Sequence, residues 1–542
     1  MKLVSSAVSL LALVPLAWLV FVPAIWRMLG LILGWYLRRK TEGRRAQLRE
    51  LMDADEKTYE EAAKTTKMGS DDDDDDDWEN VDAYAPGTAK NGGSVEKDWD
   101  GIVGFFHPFC NAGGGGERVL WAAIRATQRR WPKAKCVVYT GDHDVNKATM
   151  LSRVEMRFNI RLHRPTIAFL YLSTRHLVLA TTWPHFTLAG QSLGSVLLAW
   201  DAFSLLVPDI IVDTMGYAFA LGLSKFLFRR VPTGAYVHYP TISTDMLESL
   251  DPNSPVGAQG VNAGQGVGAR GVAKRLYWQL FARIYATMGS SIDVVMTNST
   301  WTQGHINKLW GPLRQAKRQA NPPVVVYPPV AVRELEKEVD VSSQSEPRRE
   351  KVLLYIAQFR PEKNHQLILQ SFHDFLTTGT EASRGARLVL VGSVRDDHDA
   401  KRVYKLRLLV NELHIKDQVE FHLDASWPEI LEWLRKASVG VNGMWNEHFG
   451  IGVVEYQAAG LITVAHDSGG PKLDIVTEID GQPTGFHATT AQEFADGFEK
   501  ALSLADPLAV RLRARRSAKR FTEEEFARKW TLQMEKLVAM KS

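Results

Sequence analysis

Cysteine is scarce in this sequence. Its 542 residues contain only two, Cys110 and Cys136. Two thiols provide neither the disulfide framework that stabilises many small secreted domains nor a cysteine cluster for a metal ion. This composition is compatible with a reducing compartment.

A strong excess of one charge is also missing. The chain has 65 lysines and arginines against 62 aspartates and glutamates, a formal net charge of +3. This balance does not suggest nucleic acid as a partner. With 45% apolar and 23% charged residues, the composition is that of a globular protein, and the length is enough for two or three domains.

Charged side chains are absent from residues 3–26, and a second apolar stretch, residues 28–37, follows Arg27. As a helix, the first stretch is about 36 Å long, enough to cross a hydrocarbon core of about 30 Å. The alternative is a cleaved signal peptide, whose apolar core is only about 7–15 residues. We therefore predict an uncleaved, single-pass transmembrane helix within residues 1–40.

The flanking charges predict the orientation of this helix. Only Lys2 and the α-amino group precede it, whereas several basic residues follow it. These are Arg38, Arg39, Lys40, Arg44, Arg45 and Arg49. Because basic flanks stay on the cytosolic side, we expect the rest of the chain to be cytosolic.

Two polar segments predict flexible connections. Residues 41–98 include an uninterrupted aspartate run, 71–77, which repels itself and buries nothing. We predict a disordered acidic linker there, with binding of calcium or of a basic partner as the alternative. Residues 251–272 are rich in glycine and alanine and predict a flexible loop insertion.

The remainder predicts an α/β fold in two parts. Short apolar runs that read as strands alternate with segments of helical periodicity. The strands predicted before the polar break at 341–349 are 102–106, 136–140, 209–212, 234–237, 294–298 and 324–327. Those predicted after the break are 352–356, 388–391, 419–421, 439–442 and 462–465. This alternation is typical of parallel sheets covered on both faces. We predict two doubly wound, Rossmann-like domains, 99–340 and 341–542, whose strands point their carboxyl ends into a shared cleft.

Residues 167–228 are unusually apolar and are followed by Arg229 and Arg230. Two interpretations remain open at this stage. The segment is either ordinary core or a surface that enters the bilayer, with the arginines meeting anionic headgroups.

Four consecutive glycines, Gly113, Gly114, Gly115 and Gly116, lie between a predicted strand and a predicted helix. Backbone amides at a helix N-terminus favour an anion, so we predict a phosphate or acceptor loop. A plain tight turn is the alternative. The run lacks the G-x-G-x-x-G spacing of dinucleotide-binding dehydrogenases, which argues against that class.

Two further motifs follow strands of the second part. Arg360 and Lys363 come directly after the predicted strand 352–356. The guanidinium of Arg360 is a planar fork of hydrogen-bond donors and the ammonium of Lys363 is a point charge, so the two together are suited to bind a diphosphate. Glu447 and Glu455 flank the predicted start of a helix at Gly450. A carboxylate can accept hydrogen bonds from adjacent sugar hydroxyls, and the free amides of the helix start can bind phosphate. The segment therefore predicts a nucleotide-sugar site.

These motifs resemble the donor site of retaining family-4 glycosyltransferases with the GT-B fold. The segments 105–121, 236–241 and 466–471 are similar to the mannosyltransferases of asparagine-linked glycosylation. That resemblance implies transfer of α-1,2-linked mannose from GDP-mannose to a dolichol-diphosphate-linked Man3GlcNAc2, giving Man4 and Man5 species, at the cytosolic face of the endoplasmic reticulum. It also implies a final helix that returns to the first domain and a complex with other early mannosyltransferases.

The resemblance also implies roles for single residues. Arg360 and Lys363 hold the diphosphate, Glu447 contacts mannose hydroxyls and Glu455 contacts the ribose. His238 and Glu447 are the implied catalytic residues, with His107 and the glycine run close to the reacting sugar. Phe449, Gly450, Ile451 and Gly452 complete the implied donor site, and no cofactor or metal is expected. The alternatives are another lipid-directed nucleotide-sugar glycosyltransferase and a catalytically silent scaffold of a glycosylation complex.

Overall fold

The structure is a computed structural model that describes residues 2–67, 98–251, 254, 267–318 and 321–541. For residues 2–21, 63 and 65–67 it describes the backbone only. The aspartate run 71–77 and most of the predicted insertion 251–272 lie outside these residues.

The first domain is built on a parallel sheet. In the described part of the chain, its seven strands lie in the order β3-β2-β1-β4-β5-β6-β7. They are β1 (Ile102–Phe106), β2 (Lys135–Thr140), β3 (Ile167–Tyr171), β4 (Ile210–Asp213), β5 (Thr233–Val237), β6 (Val294–Thr297) and β7 (Val324–Val325). Every residue of β1, β2, β4, β5 and β6 is buried, as expected for strands covered on both faces.

Helices cover both faces of this sheet. They are α1 (Lys2–Lys67), α2 (Gly115–Arg130), α3 (Lys147–Phe158), α4 (Thr187–Leu205), α5 (Ala218–Leu227), α6 (Thr244–Glu248), α7 (Gly268–Gly289) and α8 (Thr300–Ala316). One face is packed mainly by α4, α5, α7 and α8, and the other by α2 and α3.

The second domain repeats the same architecture. Its sheet, as described, has the order β10-β9-β8-β11-β12-β13, again with parallel pairs. The strands are β8 (Glu350–Ile356), β9 (Arg387–Gly392), β10 (Val419–Leu423), β11 (Ala437–Asn442), β12 (Ile462–His466) and β13 (Gly485–Ala488). The helices are α9 (Val332–Glu338), α10 (His365–Thr377), α11 (Asp397–Glu412), α12 (Trp427–Lys436), α13 (Ile451–Ala458), α14 (Ala491–Leu502), α15 (Pro507–Ala518) and α16 (Glu523–Lys541).

The last helix, α16, belongs to the core of the first domain. Its apolar face, which includes Phe526, Trp530 and Met534, is buried together with residues of β1, β5 and α2. The Trp530 Nε1–H donates to Thr127 Oγ1 on α2 at 3.1 Å. The chain therefore passes between the domains twice, and the two passages are joined where the Val330 N–H donates to the Phe521 carbonyl at 2.9 Å.

Helix α1 corrects the predicted linker. Residues 41–67, expected to be disordered, continue the helix. Their charged side chains have partners at the amino edge of the first sheet, where Arg45 pairs with Asp209 and Lys135 Nζ lies 2.7 Å from Asp53 Oδ1. The polar side chains that predicted disorder therefore lie on the exposed face of a helix that packs against the first domain. On its other face, the Met52 side chain is buried.

The amino-terminal part of α1 approaches α5 closely. A Cβ atom on Gly34 would lie 2.1 Å from the Leu227 carbonyl oxygen, so only glycine permits this contact. In the part of the chain that the structure describes, no helix has both the length and the apolarity needed to cross a bilayer. Most of the predicted transmembrane stretch, residues 3–21, has side chains outside that description.

The predicted fold class of two Rossmann-like domains is confirmed. The structure differs from the prediction in individual strands and helices. The strands β3 and β13 were not predicted, and residues 268–272 of the predicted insertion form the first turn of α7. The apolar segment 167–228 contains β3, α4, β4 and α5, and it has both buried and exposed apolar residues.

Candidate active site between the two domains

Both sheets have a point at which the chain connections diverge, between β1 and β4 in the first domain and between β8 and β11 in the second. In doubly wound sheets, ligands bind beyond the carboxyl ends of the strands at this point. The predicted site residues follow these strands: His107 follows β1, Arg360 and Lys363 follow β8, and Glu447 follows β11.

His107 is buried at the end of β1. Its Nδ1 lies 2.7 Å from the Thr214 hydroxyl, which follows β4, and its Nε2 lies 3.7 Å from Glu117 Oε1. Burial alone would raise the pKa of Glu117, but the interaction with His107 and the hydrogen bond from the Gly114 N–H lower it overall. The carboxylate of Glu117 is thus held ionised beside the imidazole.

His238 lies at the end of β5, next to this pair. Its Nε2–H donates to the Thr214 carbonyl at 3.1 Å, so Nδ1 carries the free lone pair of the neutral ring. Burial, with the nearby His107, lowers the pKa of His238 to about 4. At neutral pH the ring is therefore uncharged and able to accept a hydrogen bond.

The glycine run begins α2 and borders the cleft. A Cβ atom on Gly116 would lie 3.8 Å from His238 Nε2, and one on Gly115 would lie 2.6 Å from Ile451 Cδ1 at the start of α13. The N-termini of α2 and α13 therefore meet across the cleft. Each carries partial positive charge from its unpaired amides. At α2 the Glu117 carboxylate already accepts the Gly114 N–H, so the amides of α13 provide most of the attraction for an added anion.

On the second domain, Lys363 and Glu447 form an ion pair, with Nζ 2.5 Å from Oε2. Lys363 Nζ also lies 3.2 Å from Met444 Sδ. Arg360 is about one-third exposed, and its Nη1 lies 3.6 Å from Glu362 Oε1. The structure therefore brings Lys363 and Glu447 into direct contact, whereas the nearby Glu362 is the ion-pair partner of Arg360.

Glu455 projects from α13 and is partly accessible. Burial raises the pKa of its carboxyl to about 7, and Arg118 of α2, across the cleft, opposes the rise. Gly452, one turn earlier, lies beside the end of β8, since a Cβ atom there would be 3.9 Å from the Ile356 oxygen. Gly450 caps α13 with a φ of 105°.

Phe449 is placed differently from the other predicted donor-site residues. Its ring is buried in the core of the second domain, with ring centroids 5.7 Å from Tyr327 and 5.4 Å from Phe521. Only its backbone is left to face a ligand. The side chain instead fixes the loop that carries Glu447.

The loop 468–470 holds the Glu447 segment from the other side. The Gly470 N–H donates to the Glu447 carbonyl at 2.8 Å. A Cβ atom on Gly469, whose φ is 64°, would lie 2.3 Å from the same carbonyl oxygen. Glycine is therefore required at this position.

Two contacts across the cleft were not predicted from the sequence. The rings of His448 and Tyr239 stack with centroids 4.1 Å apart. Asp474 accepts hydrogen bonds from the Thr300 N–H at 2.9 Å, from the Thr300 hydroxyl and from the Tyr327 hydroxyl at 2.9 Å. Because His448 follows the predicted donor-site residue Glu447 directly, its position in the sequence could have indicated that it lies in the cleft. No local sequence pattern links Thr300 to Asp474, which lies 174 positions away.

Within the described ranges, no three His, Cys, Asp or Glu side chains converge in a way that could hold a metal ion.

Solved structures share the fold of this chain. A trehalose-6-phosphate synthase from Burkholderia multivorans matches 82% of this chain and all of its own, with a TM-score of 0.59 and 13% identity. A glycosyltransferase from Rickettsia africae matches 81% of this chain and 99% of its own, with a TM-score of 0.53 and 13% identity. At this identity the likeness concerns the fold alone. Together with the two facing Rossmann-like domains described above, it defines the GT-B fold.

Sequence comparisons are more specific. The family described as "ALG11 mannosyltransferase N-terminus" matches residues 100–310, and "Glycosyl transferases group 1" matches residues 336–520. A Neurospora crassa protein called GDP-Man:Man(3)GlcNAc(2)-PP-Dol alpha-1,2-mannosyltransferase is 72% identical, over 99% of this chain and 97% of its own. Relatives of the same name from Mus musculus and Homo sapiens are 44% and 43% identical, over 83% of this chain and 89% of theirs. The chain belongs to this family of mannosyltransferases, and the predicted resemblance is confirmed.

Proposed function

We propose that this protein transfers α-1,2-linked mannose from GDP-mannose to dolichol-diphosphate-linked Man3GlcNAc2, giving Man4 and Man5 species. The support is the membership of the family, whose relatives carry that activity in their names. The structural observation that favours it most is the meeting of the α2 and α13 N-termini beside the Lys363–Glu447 pair. A diphosphate fits between two such helix ends.

In this proposal the donor lies along the second domain. Arg360 and Lys363 bind the diphosphate, together with the backbone amides of Gly450, Ile451 and Gly452. Glu447, held by Lys363, accepts hydrogen bonds from mannose hydroxyls, and Glu455 accepts them from the ribose. Phe449 contributes its backbone, because its ring is in the core.

The reaction forms a bond from C1 of mannose to the acceptor 2-hydroxyl oxygen and breaks the bond from C1 to the diphosphate oxygen. The electron pair of the broken bond goes to GDP, and the proton of the acceptor hydroxyl goes to the departing phosphate oxygen. Because donor and product are both α-linked, the configuration is retained, and we propose front-face attack on an oxocarbenium-like centre. Lys363, Arg360 and the two helix N-termini stabilise the charge that develops on the diphosphate.

The first domain supplies the acceptor side. Neutral His238 accepts a hydrogen bond at Nδ1 from a sugar hydroxyl and so orients the reacting mannose. His107, which lies beside Glu117, holds the Thr214 segment to which His238 donates a hydrogen bond. The loop Gly113–Gly116 has no side chains, so the backbone at the start of α2 comes close to His238 and Ile451. We propose that no metal or other cofactor takes part.

We further propose that the protein works at the cytosolic face of the endoplasmic reticulum membrane, anchored by its amino-terminal helix, and that it associates with other early mannosyltransferases there. The uncharged stretch 3–26 supports an anchor. Large apolar side chains exposed on α1 and on the segment 167–228 support a membrane-facing surface. They include Ile25, Trp26, Met28, Ile32, Trp35, Phe186, Leu193, Leu197, Trp200 and Phe226.

Sugar transfer by the full-length protein in detergent tests the proposal. GDP-mannose, UDP-glucose and UDP-N-acetylglucosamine are each offered with a lipid-diphosphate Man3GlcNAc2 acceptor. We expect transfer from GDP-mannose alone. Glu455→Ala should abolish it, whereas Glu412→Ala, an exposed carboxylate on α11, should leave it unchanged.

The other outcomes separate the alternatives. Transfer from a UDP-sugar would keep the fold and the reaction class but replace the substrate. A folded protein that transfers no sugar would favour the silent scaffold. A trapped covalent glycosyl-enzyme would contradict front-face attack.

A further inference from the structure

A second cavity lies far from the catalytic cleft. It has a volume of about 470 Å³ and is lined by residues of α1 and of the segment that leads into β4. The lining residues are Trp35, Arg38, Arg39, Thr41, Glu42, Arg45, Val207, Pro208 and Asp209. Nothing in the proposed transfer reaction uses them.

Two guanidinium groups in this cavity are held by aromatic rings. Arg38 lies over the ring of Phe228 at 5.6 Å, and Arg39 lies over the ring of Trp35 at 5.4 Å. Among the described residues, neither side chain forms a hydrogen bond or an ion pair. Stacking orients the planar fork of donors but leaves its N–H groups free, which suits bidentate binding of a phosphate.

The acidic groups of the cavity do not neutralise these arginines. Asp209 is already engaged by Arg45, by the Ile102 N–H at 2.9 Å and by Lys541 Nζ at 3.4 Å. Glu42 is exposed and has no ion pair among the described residues. Burial, together with the charges of Arg45 and Arg230, lowers the pKa of Arg38 despite the opposing effect of Asp209. An added anion would relieve this crowding of positive charge.

The position of the cavity beside an exposed apolar surface indicates which kind of anion it would bind. Arg38 follows directly on the exposed apolar stretch of α1 that includes Ile32, Trp35 and Tyr36. The cavity is at the amino end of β4, whereas the catalytic Thr214 segment is at its carboxyl end. The five residue steps from Asp209 to Thr214, across the four-residue strand β4, span about 16 Å.

We propose that this cavity binds the phosphate group of an anionic membrane lipid, with Arg38 and Arg39 as donors and the acyl chains running along the apolar face of α1. The site fixes the depth and tilt of the enzyme at the bilayer. It rests on the proposed membrane location but is independent of the donor sugar.

Binding can be measured without any sugar transfer. The full-length protein in nonionic detergent is titrated with dioctanoyl phosphatidic acid, and the thermal unfolding midpoint reports binding. Dioctanoyl phosphatidylcholine, with the same acyl chains, and inorganic phosphate are titrated in parallel. We expect phosphatidic acid to bind more tightly than either.

Matched variants locate the site. The double variant Arg38→Gln/Arg39→Gln should bind phosphatidic acid about tenfold more weakly or worse, because it loses charge-assisted hydrogen bonds. The control Lys57→Gln/Lys64→Gln removes the same charge from exposed positions further along α1 and should bind as the parent does. Glu42→Gln should bind more tightly, and this variant disturbs no contact in the described structure.

Any of three results would overturn the assignment. The Arg38→Gln/Arg39→Gln variant could bind phosphatidic acid as tightly as the parent, or the parent could bind phosphatidylcholine as tightly as phosphatidic acid. Equally tight binding of inorganic phosphate would indicate that the site takes a free anion instead of a lipid. Glu455→Gln, made in the catalytic cleft, should bind phosphatidic acid as the parent does. A failure of the proposed transfer reaction is therefore distinguishable from a failure of the lipid site.

Discussion

At the scale of single residues, the ion pair of Lys363 and Glu447 joins groups 84 positions apart. Each residue follows a strand at the point where the sheet connections diverge, so the sequence motifs and the order of strands together placed both in the cleft. In the proposed reaction, this pair orients the Glu447 carboxylate toward the mannose and places the Lys363 ammonium group beside the diphosphate.

Replacing Lys363 by alanine should lower kcat/KM by about 10²–10³-fold, because a preorganised positive charge is lost where negative charge develops. Steady-state transfer from GDP-mannose measures this. Lys405→Ala, at an exposed position of α11, is the control and should keep full activity. A loss below about threefold would show that the diphosphate is bound elsewhere.

We expect the buried carboxyl group of Glu455 to lower the stability of the protein while being needed for its activity. Burial raises its folded pKa to about 7 from 4.5, so between these values the folded protein binds more protons than the unfolded one. Stability therefore falls as pH rises through this window. Glu455→Gln, which cannot ionise, should match the parent near pH 5 and unfold about 1–3 °C higher at pH 8.

Thermal unfolding of both proteins at pH 5 and pH 8 checks this prediction, and the variant should have lost sugar transfer. An equal difference at the two pH values would mean that ionisation of Glu455 is not the cause.

Contacts between residues of the two domains could not be predicted from the sequence. Thr300 and Asp474 meet only because two separately folded sheets face each other, and no periodicity or local spacing encodes such a contact. The burial of the Phe449 ring was missed for a similar reason, since its partners Tyr327 and Phe521 lie on other segments.

At the scale of elements, strands that are buried on both faces were predicted well, because a short, continuous apolar run between turn residues is typical of a buried strand. The strand β3 was hidden within the long apolar segment 167–228, and β13, Gly-Phe-His-Ala, is a short edge strand with a polar member. The extension of α1 to Lys67 was missed because its stabilising partners lie on the first domain.

The loop 468–470 gives a prediction at this scale. Gly469→Ala forces a Cβ atom against the Glu447 carbonyl, so it should displace the loop that carries the donor-site carboxylate. We expect kcat/KM to fall by about 10²-fold, since small displacements of binding groups are costly.

Gly481 offers a matched control for Gly469→Ala. Its φ is 70°, close to the 64° of Gly469, but no atom lies within 4 Å of the Cβ position. Gly481→Ala therefore introduces similar backbone strain without the clash and should retain activity. Equal loss in the two variants would attribute the effect to strain alone.

At the scale of the whole molecule, the two domains are joined by paired passages of the chain near Val330 and Thr522. Ion pairs of Glu523 with Arg118 and Arg125, both at 2.6 Å, fasten the start of α16 to α2. The arrangement makes α16 a structural part of the first domain.

Trp530→Ala should reduce the free energy of unfolding by about 3–5 kcal/mol, because it opens a cavity in the core of the first domain. Leu532→Ala, in the same helix at a side chain that is 37% exposed, should have little effect. Denaturant unfolding compares them, and equal stabilities would show that α16 contributes little to this core.

The return of α16 has a consequence for biosynthesis. Because residues 523–541 leave the ribosome only after the preceding part of the second domain, the domain that is made first must wait for them to complete its core. Until then its sheet lacks Trp530, Met534 and Leu537 and exposes an apolar groove. Premature stop codons shortly before residue 523 should therefore impair the amino-terminal domain, and nascent chains should depend on chaperones until α16 has emerged from the ribosome.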